Sequence, residues 1–161
     1  QMIANRFSKI GSIPELEDAD LKALLERVTD YIAHRTSDKV KISTHVPDSL
    51  PPVRLNVALF EWVIENLCKN AVDAMGGVGV LVISVQETSI YWCIDVVDTG
   101  KGIDKRYFET VFAPGYTTKK RGWGLGLSLA RRIVVEYHSG SIFVKQSEIN
   151  KGTIFRIELK K

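Results

Sequence analysis

Residues 55–75 carry the strongest helical period in the chain, closed by Gly76-Gly77. On a wheel of about 100° per residue, Phe60, Val63, Ile64, Leu67, Ala71, Ala74 and Met75 share one arc, which needs a second layer to cover it. Asn66, Asn70 and Asp73 fall at i, i+4 and i+7 and make a polar stripe along the edge of that arc. A stripe at that boundary faces a cleft rather than open solvent. An amide oxygen is a neutral hard ligand, able to complete the octahedral shell of Mg²⁺ while leaving other positions to phosphate and water. For this helix taken alone, the plainer reading is that the asparagines bond a neighbouring loop.

The surrounding pattern supplies the covering layer. Apolar residues at helical spacing run over 20–32, and 40–46 alternates as a strand does before the prolines of 47–52 break the pattern. Residues 80–86 and 90–98 read as a hairpin, 125–137 as a helix, and 141–146 and 153–159 as strands. Strands and helices without strict alternation indicate α+β: a two-layer α/β sandwich, its mixed and mostly antiparallel sheet covered on one face by helices. At 161 residues there is room for one such domain, expected over 11–161, with 1–10 as the tail of an upstream helix. A composition of 45% hydrophobic and 25% charged residues excludes a disordered chain, and a net charge of +3 gives no case for nucleic acid. Cys68 and Cys93 show no metal-ligand spacing and suit buried thiols in a reducing cytoplasm. No apolar run approaches the length of a membrane span.

Two further segments carry chemistry. The strand over 90–98 puts Ile90, Trp92, Ile94, Val96 and Asp98 on one face, so a carboxylate ends an apolar row. Such a group needs donors. The exocyclic amino group of adenine supplies one, where guanine would present a repelling carbonyl oxygen. Thr99-Gly100-Lys101-Gly102-Ile103 follows, its glycines free to adopt φ > 0 or to pass close beneath a flat base. An ordinary Asp-Gly turn is the plainer alternative. From 99 to 126 the chain is a long Gly-, Lys- and Thr-rich loop with at most one helical turn near 107–111. It ends in Thr117-Thr118-Lys119-Lys120-Arg121 and Gly122-Trp123-Gly124-Leu125-Gly126-Leu127 at a helix start, where glycines and unpaired N–H groups suit phosphate oxygens. Neither the phosphate loop GxxxxGK[ST] nor a dinucleotide fingerprint fits.

Four elements thus stand in one order: Glu65-Asn66-Leu67-Cys68-Lys69-Asn70-Ala71, Asp98-Thr99-Gly100-Lys101-Gly102, Phe108 with Phe112, and the glycine run. The set resembles the catalytic and ATP-binding domain of bacterial sensor histidine kinases, in the ATPase superfamily shared with gyrase, heat-shock chaperones and mismatch-repair proteins. The resemblance covers about 40–159 and implies the Bergerat-type ATP-binding fold with ATP and Mg²⁺ bound. It assigns catalytic roles to Asn66, Asn70 and Lys119, with Asn70 as the metal ligand and Asp98 on the adenine amino group. Gly100, Gly102, Ile103, Phe112, Tyr116, Arg121, Gly122, Gly124, Leu125, Gly126, Leu127 and Thr153 would complete the nucleotide site. Trp123 stands where a small residue is usual in the family. Asp73 replaces a basic phosphate contact of one branch, which shifts that task to Lys119 and Arg121.

No histidine here matches the family's phosphoacceptor: His34 precedes Arg35, His45 precedes Val46 and His138 precedes Ser139, and none has the acidic neighbour. The resemblance therefore implies a domain that presents the γ-phosphate of ATP to a histidine on a separate dimerisation domain, with a response regulator downstream. It further implies an isolated monomer, a homodimeric full-length kinase and a cytoplasmic location, possible also for the cytoplasmic part of a membrane-anchored kinase. An ATP-hydrolysing switch of the gyrase or chaperone type and a non-enzymatic nucleotide sensor are the alternatives. Outside the motifs, His138 reads as a packing or capping residue near Gly140, and Arg131-Arg132 as a solvated face.

Overall fold

The computed structural model describes residues 13–117 and 126–161. Along the chain these form β1 (Glu17–Ala19), α1 (Leu21–His34), β2 (Val40–His45), β3 (Val53–Leu55), α2 (Val57–Met75), β4 (Gly79–Glu87) and β5 (Tyr91–Asp98). Two 3-10 turns (Lys105–Tyr107 and Thr110–Phe112) lead to α3 (Gly126–Arg132), which runs on as a π-turn (Ile133–Tyr137), then β6 (Ser141–Glu148) and β7 (Gly152–Lys160).

Local chemistry sets the helix ends. The Asp20 carboxylate accepts the Ala23 N–H at 3.0 Å and caps α1, while Asn56 Oδ1 accepts the Leu59 N–H at 3.1 Å and caps α2. Gly76, at φ 64°, turns the chain out of α2 in the left-handed conformation. Leu21, Leu24, Leu25, Val28 and Ile32 of α1 are buried, as are Phe60, Val63, Ile64, Leu67, Ala71 and Met75 of α2. The expected arc is therefore the packing face, widened by Leu59, Trp62 and Cys68. Burial pushes the Cys68 thiol up to about 12, with the Glu65 carboxylate adding to the effect, so this cysteine is an inert apolar group.

The main sheet has the order β2-β4-β5-β7-β6, and only β2 and β4 run parallel. The helices cover the face that carries Leu81, Ile83, Trp92, Ile94, Val96, Phe155 and Ile157. This is the expected two-layer α+β architecture. A second small sheet, β1 against β3, was not legible in the sequence, because three-residue strands beside prolines carry no period. Ile90 departs from its expected place on the core face: it is 51% exposed. The strand starts only at Tyr91, whose N–H donates to Thr88 Oγ1 at 2.8 Å and fixes the turn one residue later. Among the described residues, no helix is long and apolar enough to cross a membrane.

On the opposite face of the sheet, Arg156 of β7 grips Asp95 of β5 through two bonds of 2.7 and 2.8 Å. Asp95 is 5% exposed, and removing it would leave the guanidinium partly buried without its partner. Asp95→Ala should therefore lower stability by about 2 kcal/mol or more, read in a urea or thermal unfolding curve. An unchanged midpoint would mean that solvent already satisfies Arg156.

Candidate functional site

Asp98 ends β5, paired with Leu81 of β4 on one side and Thr153 of β7 on the other. Its side chain shares the helix-covered face and is 5% exposed. Burial pushes the carboxyl above the usual carboxylate range, while the backbone N–H groups of Gly100 and Thr153 favour the ionised form and oppose that shift. The Gly100 N–H donates to Oδ1 at 2.8 Å. Beside it a hydroxyl pair ties three segments together. Ser147 Oγ accepts the Ile103 N–H at 2.7 Å, lies 2.8 Å from Thr153 Oγ1 and donates to the Gly152 carbonyl at 3.0 Å. Ser147 carried no sequence signal of its own. It emerges only because the β6–β7 hairpin folds back beside Ile103.

The loop after Asp98 is held on the far end of α2. Lys101 N–H donates to the Ala74 carbonyl at 2.9 Å, and a Cβ on Gly100 would come within 2.7 Å of the Ala74 backbone. Gly102, at φ 77°, has no room either, since a Cβ there would meet the Glu148 carbonyl. At the other end of the same helix face, a Cβ on Gly126 would collide with the Asn66 amide oxygen. Asn66, Asn70 and Ala74 are spaced i, i+4 and i+8, so they form one row along α2. The row spans about 12 Å at 1.5 Å per residue. The start of α3 bounds one end, the Asp98 loop bounds the other, and Asn70 lies between them.

Both asparagines are half-buried. Asn66 Nδ2 is shielded from solvent and has no hydrogen-bond partner among the described residues, a buried donor that an acceptor would satisfy. Among the described residues no cluster of His, Cys, Asp or Glu could hold a metal ion. A divalent ion here would therefore rest on an amide oxygen and on oxygens of a ligand, the donor set that suits Mg²⁺ bound with phosphates. The residues present fit Mg²⁺ in that role.

Aromatic residues close the side of the site. Phe112 is 3% exposed and meets Phe155 edge-on, with ring centroids 6.0 Å apart. Tyr116 stacks on Tyr107 at 6.2 Å, and Ile103, Phe108, Tyr116 and Leu127 pack against the core as half-buried groups. Arg131 is not the solvated residue that its sequence suggested. Its guanidinium sits 4.8 Å from the centre of the Phe112 ring and 2.8 Å from the Glu109 carboxylate, pinning the second 3-10 turn to α3. Nothing in the local pattern of Arg131-Arg132 signals this, because the partners come from the preceding loop. Lys119, Arg121, Gly122, Trp123, Gly124 and Leu125 lie outside the described residues, as does the tail at 1–10.

A two-layer sandwich with an asparagine row between a carboxylate-glycine loop and a glycine-led helix defines a recognisable class of nucleotide-site protein. The chain belongs to the histidine kinase-, DNA gyrase B-, and HSP90-like ATPase family, whose model matches residues 56–161. Sensor histidine kinase ZraS of Escherichia coli (strain K12) is 32% identical over 145 residues, which is 89% of this chain and 31% of that protein. The chain thus spans about a third of the length of that relative. Among solved structures, the catalytic domain of histidine kinase ThkA superposes with a TM-score of 0.81 at 27% identity, covering 91% of this chain and 96% of that one. Histidine kinase ThkA in complex with response regulator protein TrrA matches with a TM-score of 0.79 over 99% of this chain and 49% of that one; at 23% identity this likeness concerns the fold.

Proposed function

We propose that this chain is the catalytic and ATP-binding domain of a sensor histidine kinase, comprising residues 11–161, with 1–10 closing a dimerisation helix. It binds Mg²⁺-ATP and presents the γ-phosphate to a histidine on the dimerisation domain. The observation that carries the reading is the row Asn66, Asn70, Ala74, bounded by Gly126 at one end and by the Asp98 loop at the other. Asp98 accepts the adenine amino group with the oxygen that Gly100 leaves available. Gly100, Gly102, Ile103 and Thr153 shape the wall beside the base, and Phe112, Tyr116 and Leu127 close the site laterally. Asn66 Nδ2 donates to a phosphate oxygen, and Asn70 contributes its amide oxygen to the metal. The metal, when bound, neutralises phosphate charge and orients the transferring group. Lys119 and Arg121 supply cations to the same phosphates, and Gly122, Gly124, Leu125 and Gly126 supply the backbone that meets them.

The domain supplies positioning and charge neutralisation, and the nucleophile comes from elsewhere. Hydrolysis needs a base near the attacking water. The position one helical turn before Asn70 is Asn66, whose amide cannot take a proton at neutral pH. Glu65 is five residues before Asn70, which puts it about 140° away around the helix. Water is therefore a poorly activated nucleophile here. The full-length kinase would be a homodimer that passes the phosphoryl group to a response regulator, a partner of the kind seen with ThkA, and its kinase domains would lie in the cytoplasm.

The experiment is phosphate release from the isolated domain, followed by addition of a separately expressed dimerisation domain from the same kinase. Release should be near background, and acid-labile phosphohistidine should form only on the added domain. Brisk release that Glu65→Gln abolishes would instead establish the hydrolysing switch. Tight nucleotide binding with neither activity would establish the non-enzymatic sensor.

A further inference from the structure

His138 follows the π-turn at the end of α3, and its ring is 7% exposed. Nδ1 lies 2.9 Å from the Ile133 carbonyl oxygen, and Nε2 lies 3.1 Å from the backbone nitrogen of Asn56. A carbonyl can only accept and a backbone N–H can only donate. The ring proton therefore belongs on Nδ1, and Nε2 carries a bare lone pair. The ring packs 5.5 Å from that of Phe60, at 60°. Of the two readings the sequence offered, this bond between elements is the packing role and not the local cap near Gly140.

Its partner is the residue that starts α2. Asn56 caps the helix through Oδ1 and holds the segment before β1 through Nδ2, which donates to the Glu15 carbonyl at 3.1 Å. The last backbone donor of that residue goes to His138. Among the contacts of α3 with α2 are one at each end, Gly126 on Asn66 and His138 on Asn56. The ten residues between Asn56 and Asn66 rise about 15 Å, and the twelve from Gly126 to His138, tightened in rise by the π-turn, cover about the same length. The two helices run antiparallel, and each contact fixes where the other can fall. Beyond His138, Ser139 at φ 52° and the bond from Gly140 N–H to the Val134 carbonyl, 2.9 Å, end the helix.

We propose that His138 is a positioning residue for the nucleotide site: by holding the first N–H of the α2 cap, it sets the axial register of α3 and so seats Gly126 on Asn66. The role rests on the nucleotide reading above. Burial holds the imidazole below its ordinary range and the Ile133 carbonyl pulls the other way; among the described residues no charged side chain shifts it. The groups facing it are the Asn56 backbone and Phe60 from α2 and the Ile133 carbonyl from its own segment, while Glu136 of the π-turn pairs with Arg132 at 3.1 Å. A histidine with a lowered folded value supports the structure above its unfolded pKa of about 6.5, and that support is lost as pH falls through the folded value.

The test uses the domain with Mg²⁺-ATP as the titrant, with His138→Phe to remove the acceptor and His138→Gln to keep an acceptor that cannot ionise. ¹⁵N NMR of the wild-type ring should show the Nδ1–H tautomer at pH 7. His138→Phe should bind Mg²⁺-ATP about five- to tenfold more weakly in its folded fraction. His138→Gln should bind as the wild type does at pH 7 and lose less affinity than the wild type as pH falls through the folded value of the imidazole. Wild-type affinity in folded His138→Phe, an Nε2–H tautomer, or identical pH profiles for His138→Gln and wild type would each overturn the role. If His138→Phe does not fold, the tautomer and the His138→Gln profile decide. Absence of binding by the wild type would overturn the nucleotide reading, and this role with it.

Discussion

Asp98→Asn should abolish adenine selection while leaving the empty domain more stable at neutral pH. The asparagine Oδ1 can keep the Gly100 N–H, which now donates to Asp98 at 2.8 Å. The second carboxylate oxygen, however, becomes an amino group that opposes the adenine amino group donor to donor. Leaving such groups unpaired in a buried site should weaken ATP binding by about 100-fold. Stability moves in the other direction. Burial raises the folded pKa of Asp98, so its favourable contribution is full below the unfolded value of about 3.9 and is lost as pH rises through the folded value. At pH 7 the folded domain carries the cost of a desolvated carboxylate, offset only in part by the Gly100 and Thr153 N–H groups, and an amide does not impose that cost. Melting curves and ATP titrations at pH 7 read both effects. A variant that melts lower and still prefers ATP would mean that the carboxylate is structural.

Asn70→Ala should remove the metal-dependent part of nucleotide binding. The side chain is half-buried on the trench side of α2, so truncation should disturb stability by no more than about 1 kcal/mol. Loss of an amide ligand should weaken Mg²⁺-ATP binding about tenfold or more. Binding of ATP in a chelator should hardly change, because the base and sugar contacts lie elsewhere. A parallel pair of titrations, with Mg²⁺ and with chelator, separates the two terms. Equal losses in both would give Asn70 a packing role and leave the metal without its protein ligand.

Much of this fold was legible because its main elements are long and periodic. The α2 arc and the apolar row Trp92-Ile94-Val96 each write a local rule into the sequence. The order of the four motifs gave the family. What escaped was every feature that depends on residues far apart in the chain. β1 and β3 are too short to carry a period and exist through their mutual pairing. Arg131 belongs to Phe112 and Glu109, Ser147 to Ile103 and Thr153, and His138 to Asn56, and no local pattern announces such partners. The glycines show the same limit. A base or a backbone at φ > 0 was the expected reason for Gly100 and Gly102, and a phosphate for Gly126; Gly102 does stand at φ 77°, and all three are also required by protein atoms of Ala74, Glu148 or Asn66.

The central claim is that Asp98, at the end of the asparagine row, selects an adenine nucleotide. Calorimetric titration of the wild-type domain with ATP and with GTP, each with Mg²⁺ at pH 7, tests it most directly. The account predicts saturable binding of ATP and binding of GTP about 100-fold weaker or undetectable. Equal affinity for the two nucleotides, or no heat with either, would contradict it.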